Sequence, residues 1–158
     1  MATVTLKRTG LRQFGNTVPY GNLSTFKFAL ATNASGAAIN SDSSAAIGIG
    51  DVIDLGELQE GLALEDAMIF ITTGMTATIT GSLGFKYEDG VDSSEVPQDA
   101  AYFGSGLNLA TAGRVRAAGT KLVTLPKPAR LILTTAVAAN AKASDIKVVV
   151  HGELNGAR

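Results

Sequence analysis

The chain has no cysteine, no tryptophan and one histidine in 158 residues. Without cysteine there are no disulfides and no thiolate metal sites. With one histidine, any histidine-based triad or general base must use His151. Aromatic residues are 6% of the chain and charged residues 17%, with a formal net charge of −1. Such a balance gives neither a basic footprint for nucleic acid nor a polybasic membrane face. No apolar run approaches the 18 or so residues of a membrane-crossing helix. The opening Met1–Arg8 lacks the apolar segment of a secretory leader, so the chain is expected to stay where it is made.

What is present points to strands. Hydrophobic residues are 46% of the chain, too many for a disordered polymer. Glycine is 18 of 158 residues, against a usual share of about 7%. The glycines fall between short apolar runs, as frequent turns require. The organising stretch is Asp66–Tyr87. Met68–Ile71 is a continuous apolar run of the kind that suits a strand covered on both faces. Thr76–Lys86 alternates, with Thr76, Thr78, Thr80 and Ser82 on one face and Ala77, Ile79, Leu83 and Phe85 on the other. Thr73-Gly74-Met75 between them reads as a hairpin connector.

Taken in order, strands are expected at Ala2–Arg8, Ser24–Leu30 and Asp51–Leu58, the last ending near Gly56. Others are expected at Ala129–Thr135 and Asp145–Leu154, with weaker ones at Ala45–Ile49, Leu107–Leu109, Arg114–Arg116 and Thr120–Leu125. Residues 9–23 form an irregular arm and residues 32–50 a small polar excursion. Residues 88–119 form a longer loop-rich excursion. Within it, Pro97–Phe103 reads as one or two helical turns. Pro126-Lys127-Pro128 is a rigid connector that confines a flanking strand to an edge or to a start after it. The whole predicts an all-β, single-domain sandwich over 1–158, jelly-roll-like, with an N-terminal arm and a long excursion.

Little in it suggests chemistry. His151 sits on the face of the last strand opposite Ile146, Val148 and Val150, where a surface or interface role is the plainer reading. Glu88, Asp89, Asp92 and Glu95 surround Gly90 and carry hard oxygen ligands. Their spacing is not that of a calcium loop, and a solvated turn accounts for them. In the second acidic set Asp51 and Glu57 share a face while Asp54 takes the other, so the three do not converge. No nucleophile elbow or phosphate loop is present. No catalytic residue, cofactor or metal is therefore expected.

Two irregular segments do carry apolar side chains: Leu11, Phe14, Val18 and Tyr20 in the arm, Tyr102 and Phe103 in the excursion. Exposed, these six are anchors for a capsid or subunit interface. Otherwise they cap the open ends of the sandwich.

Several strings resemble a known family. They are VTLKRTGLRQFGNTVPYGN at Val4–Asn22, IDLGELQEG at Ile53–Gly61 and LGFKYEDGVD at Leu83–Asp92, with VPQDAAYF at Val96–Phe103 and VTLPKPARLILT at Val123–Thr134. Together they are similar to capsid decoration, or cement, proteins of short-tailed bacteriophages. That resemblance implies a jelly-roll-like virion protein, made in the host cytoplasm and bound to the outer surface of the capsid. It implies the major capsid protein as partner and a homo-oligomer, dimer or trimer, with no nucleic acid or membrane partner. It carries no site residue over to a position here. A phage tail or fibre module has the same composition. A glycan- or cation-binding sandwich is a third reading and an enzyme a fourth.

Overall fold

A computed structural model describes residues 2–5, 23–117, 119 and 121–155. These form strands and connections, with no helix among them. Ten strands follow in order: β1 (Thr3–Thr5), β2 (Leu23–Thr32), β3 (Val52–Leu58), β4 (Leu62–Thr73), β5 (Thr80–Tyr87), β6 (Asp99–Asn108), β7 (Gly113–Ala117), β8 (Val123–Thr124), β9 (Ala129–Ala136) and β10 (Ser144–Leu154).

One sheet has the order β1-β3-β9-β5-β6, the other β2-β10-β4-β7, with β8 beside β4. The pairs β2–β10, β3–β9, β4–β7 and β5–β6 are nested antiparallel partners. The chain is thus a long ribbon of strand pairs, rolled so that its pairs alternate between two sheets. That is a jelly roll, as the sequence predicts. β1 adds to it in parallel with β3.

This topology corrects the expected central hairpin. β4 and β5 lie in different sheets, and residues 74–79 cross from one to the other. The hairpin is instead β5–β6, with residues 88–98 at its tip. Thr76 and Thr78 belong to the crossing and not to a strand. Met68–Ile71 is covered on one face only. Ala67, Ile69 and Ile71 are buried, whereas Met68 and Phe70 are half-buried, and the Arg114 guanidinium lies 4.9 Å above the Phe70 ring.

Residues 97–103 are not helical. Asp99–Asn108 is an edge strand, and Pro97 precedes it. Two register shifts in its pairing with β5 break the alternation that would reveal a strand. Gly84 permits this pairing, since a Cβ there would run into the backbone of Asp99 and Ala100. Gly56 does not end β3 but sits at a bulge inside it, with φ of 144°. Ala45–Ile49 contributes a single bridge, Ala37 to Ala46, while Ile47 is buried in the core. The start of β9 immediately after Pro128, and the alternation of β10, are as expected.

Side chains from both sheets meet in one core. Leu55, Leu83, Phe85, Leu131 and Leu133 come from one sheet, and Phe28, Leu30, Ile69, Ile146 and Val148 from the other. Burying each such side chain is worth about 1.5–3 kcal/mol, which supplies the driving force for closing the two layers.

Candidate functional site

Of the six expected anchors, Leu11, Phe14, Val18 and Tyr20 lie outside the described residues. Phe103 is 1% exposed and belongs to the core. Tyr102 is half-buried beside it. Their rings meet edge to face at 4.9 Å, and Tyr102 meets Phe85 at 5.5 Å. The Tyr102 hydroxyl donates to the carbonyls of Leu64, at 3.2 Å, and Lys121. That links β6 of one sheet to β4 of the other. These two aromatics therefore pack between the layers, Phe103 within the core and Tyr102 at its margin.

His151 Nδ1 lies 3.2 Å from Thr25 Oγ1, and the residue pairs with Asp66 in register. Thr25 and His151 are cross-strand neighbours, which accounts for the contact without a reaction. In the 88–98 tip, Asp92 Oδ1 accepts from the N–H groups of Ser93 and Gln98, and Asp89 pairs with Lys127 at 2.7 Å. That hydrogen bond holds the Asp89 carboxyl below the ordinary value of 3.8. Among the described residues, no three His, Asp or Glu side chains converge as metal ligands.

The second acidic set departs from expectation. The bulge between Asp54 and Gly56 adds one residue to β3, so Asp54 and Glu57 emerge on the same outer face. Both reach Arg130 of β9: Nε lies 2.9 Å from Asp54 and Nη1 3.3 Å from Glu57, with Glu88 at 3.9 Å. Burial opposes the charge of Arg130, but the Asp54 hydrogen bond and the three carboxylates outweigh it and raise its pKa. Asp51 stays apart and accepts from the N–H groups of Ala2 and Gly48. Two shallow depressions of about 230 and 280 Å³ flank this cluster and share Glu88 and Pro128. Both fall below the roughly 300 Å³ at which small-molecule pockets begin.

Among the described residues, one polar side chain with several partners, Asn140, is one that sequence reasoning passed over. It is 1% exposed, in the 137–143 connection. Its Oδ1 accepts from the Thr76 N–H at 3.1 Å. Its Nδ2 donates to Thr32 Oγ1 at 3.0 Å and to the carbonyl of Lys142 at 2.9 Å. Thr76 Oγ1 in turn accepts from the Ala141 N–H. Two connections and the end of β2 are thereby tied at one end of the sandwich. The only local cue was a lone amide within an alanine-rich run. What emerges is a set of structural ties and no reactive centre.

No family model matches the sequence, and no curated protein matches it. Among solved structures, the fold matches a chain from the capsid of Ralstonia phage GP4 with a TM-score of 0.69 and 16% identity. That alignment covers 99% of this chain and 100% of the other. A chain from the cyanophage Pam1 capsid asymmetric unit matches with a TM-score of 0.60 and 15% identity, over 91% of this chain and 94% of that one. The jelly-roll sandwich is therefore a fold also found in chains of phage capsids.

Proposed function

We propose that this chain is a structural virion protein. It binds the outside of a phage head and reinforces contacts between major capsid protein subunits. The observation that carries the reading is the end-to-end alignment with an entire chain of the GP4 capsid. That chain comes from a phage capsid, which supports a structural virion role for this one. The sandwich suits the role physically, with two close-packed layers and connections tied by the buried Asn140 amide. It works as a dimer or trimer on the capsid surface. Many copies at seams between subunits add binding energy without any single strong contact.

The test is size-exclusion chromatography with light scattering on the isolated protein, alone and after mixing with purified empty phage heads assembled without it. Co-elution with the heads, saturating at a fixed number of copies per capsid subunit, is the expected result. A protein that stays free of intact heads but appears on purified tails overturns the head assignment in favour of a tail or fibre module.

A further inference from the structure

The two ends of the sandwich differ in charge. At one end lie four connections, 33–51, 74–79, 109–112 and 137–143. Their only charged side chains are Asp42, Asp51 and Lys142. Asp51 is buried, and Asp42 accepts from the N–H of Thr5. At the opposite end the connections 59–61, 88–98 and 125–128, with the residues that lead into β8, hold Glu60, Glu88, Asp89, Asp92, Glu95, Lys121 and Lys127. Exposed apolar side chains occur at both ends. At the acidic end they are Leu23, Val91 and Leu122. At the other they are Ile39, Ile49 and Val137, with 62% of each of the last two exposed. The Gly50 N–H donates to the Thr135 carbonyl, which sets Ile49 beside the end of β9 that leads to Val137.

A second observation is independent of charge. Val137 and Thr78 have φ of 75° and 72°. That is the left-handed region, where a β-branched residue is an outlier. Both are exposed, so core packing does not reward either one for its place. Backbone strain of this kind gathers at sites that work on something outside the fold. The Asn140 ties hold both connections rigid.

We propose that this charge-poor end is the face that lands on the phage head, meeting a patch of the shell that is likewise poor in charge. The inference rests on the virion reading above. A charged partner patch would be stripped of water here with almost nothing to pair with. Interface centres are depleted of charge for that reason. The carboxylates of the opposite end then remain in water. A second copy of this chain fits the face less well. With strands about 4.8 Å and sheets about 10 Å apart, the end measures about 500 Å². Two copies end to end would bury about 1,000 Å² in total, below the roughly 1,200 Å² at which stable pair interfaces begin. An oligomer planting two or three such ends on a shell gains by avidity instead.

The experiment compares the full chain with Ile49→Asp and Val137→Asp at this end, and with Glu60→Lys and Glu95→Lys at the other. The probe is empty phage heads assembled without this chain, pelleted with bound protein. Aspartate is tolerated at positive φ, so Val137→Asp should fold, and a thermal melt at or above the parent's confirms it. Bound copies should fall roughly tenfold or more for Ile49→Asp and Val137→Asp, as for charges set into an interface centre. Binding of the two lysine variants should match the parent. Equal binding by all five proteins overturns the assignment of this end while leaving the head-binding reading intact. A parent dimer that Val137→Asp converts to a monomer gives the face to a second copy and overturns the proposal. A parent that binds no heads ends both readings.

Discussion

Arg130 Nε lies 2.9 Å from Asp54 Oδ2 across the β3–β9 pairing, and the two side chains are only 16% and 9% exposed. A partly buried ion pair owes its effect to both members being present. Removing Arg130 leaves Asp54 with a desolvated charge and no cation. Arg130→Leu is expected to destabilise the fold by about 3 kcal/mol. The double variant Asp54→Leu/Arg130→Leu should recover most of that loss, since two apolar side chains need no pairing. Denaturant midpoints of the singles and the double decide the matter. Additive losses would mean that the pair is not coupled.

Asn140 makes a sharper case, because its two amide atoms have opposite roles. Oδ1 accepts from Thr76, and Nδ2 donates to Thr32 and Lys142. Asn140→Ala should cost about 2–3 kcal/mol, because buried groups lose partners. Asn140→Asp keeps the shape but sets a carboxylate oxygen against the Lys142 carbonyl. It should be the worse variant at neutral pH and should recover toward acid pH as the carboxyl takes up a proton. A pH series of thermal melts on the three proteins tests this. A pH-independent Asn140→Asp would show that the amide orientation is not what matters.

The same residues show what a sequence can carry. The strands at Asp145–Leu154 and Ala129–Thr135 were legible because each buries one alternate set against a single core. The β4–β5 crossing was not, because alternation says which face is wet and nothing of which strand pairs with which. A short glycine-containing link serves equally for a hairpin and for a change of sheet. β6 was hidden by its bulges and by Gly104 and Gly106, whose positive φ values break the period. The Asp54–Glu57 convergence was hidden by one extra residue in β3, which reverses the face of everything after it. Asn140 was hidden because its partners Thr32 and Thr76 stand 108 and 64 residues away. The anchors were only half legible. Aromatic content in an irregular stretch does not separate a partner surface from a cap, and Phe103 proves to be core.

Tyr102 and Tyr87 give a pH signature. Burial raises the pKa of both above the ordinary 10.0, and nearby Asp92 adds to the effect at Tyr87. The folded state therefore holds these two protons more tightly than the unfolded chain does. The stability they contribute is complete below about pH 10 and is lost as pH rises through their raised values. Phenolate absorbance should show these two groups titrating late and together with loss of structure. Tyr102→Phe should remove part of the alkaline sensitivity, at the expense of the hydroxyl's bonds to Leu64 and Lys121. Early, reversible ionisation of all three tyrosines in the folded protein would contradict the burial of these hydroxyls.

Val137 supplies the prediction that runs against ordinary expectation, since changing it should make the protein more stable. Its φ of 75° places Cβ against the following carbonyl, a conformation that costs an L-residue about 1–2 kcal/mol. Branching at Cβ worsens the clash, and the exposed isopropyl group recovers little by burial. Asparagine adopts this region far more readily. Val137→Asn should therefore raise stability by about 1 kcal/mol, part of the left-handed penalty. For a domain of this size that is a rise of a few degrees in Tm. Thr78→Asn should act in the same direction by the same reasoning, and Asn40, already at φ of 57°, needs no relief. If Val137→Asn gains stability and loses attachment to heads, the strained valine serves the contact and not the fold. A stability loss on Val137→Asn would mean instead that the side chain packs within the sandwich, and the strain would then need no partner to explain it.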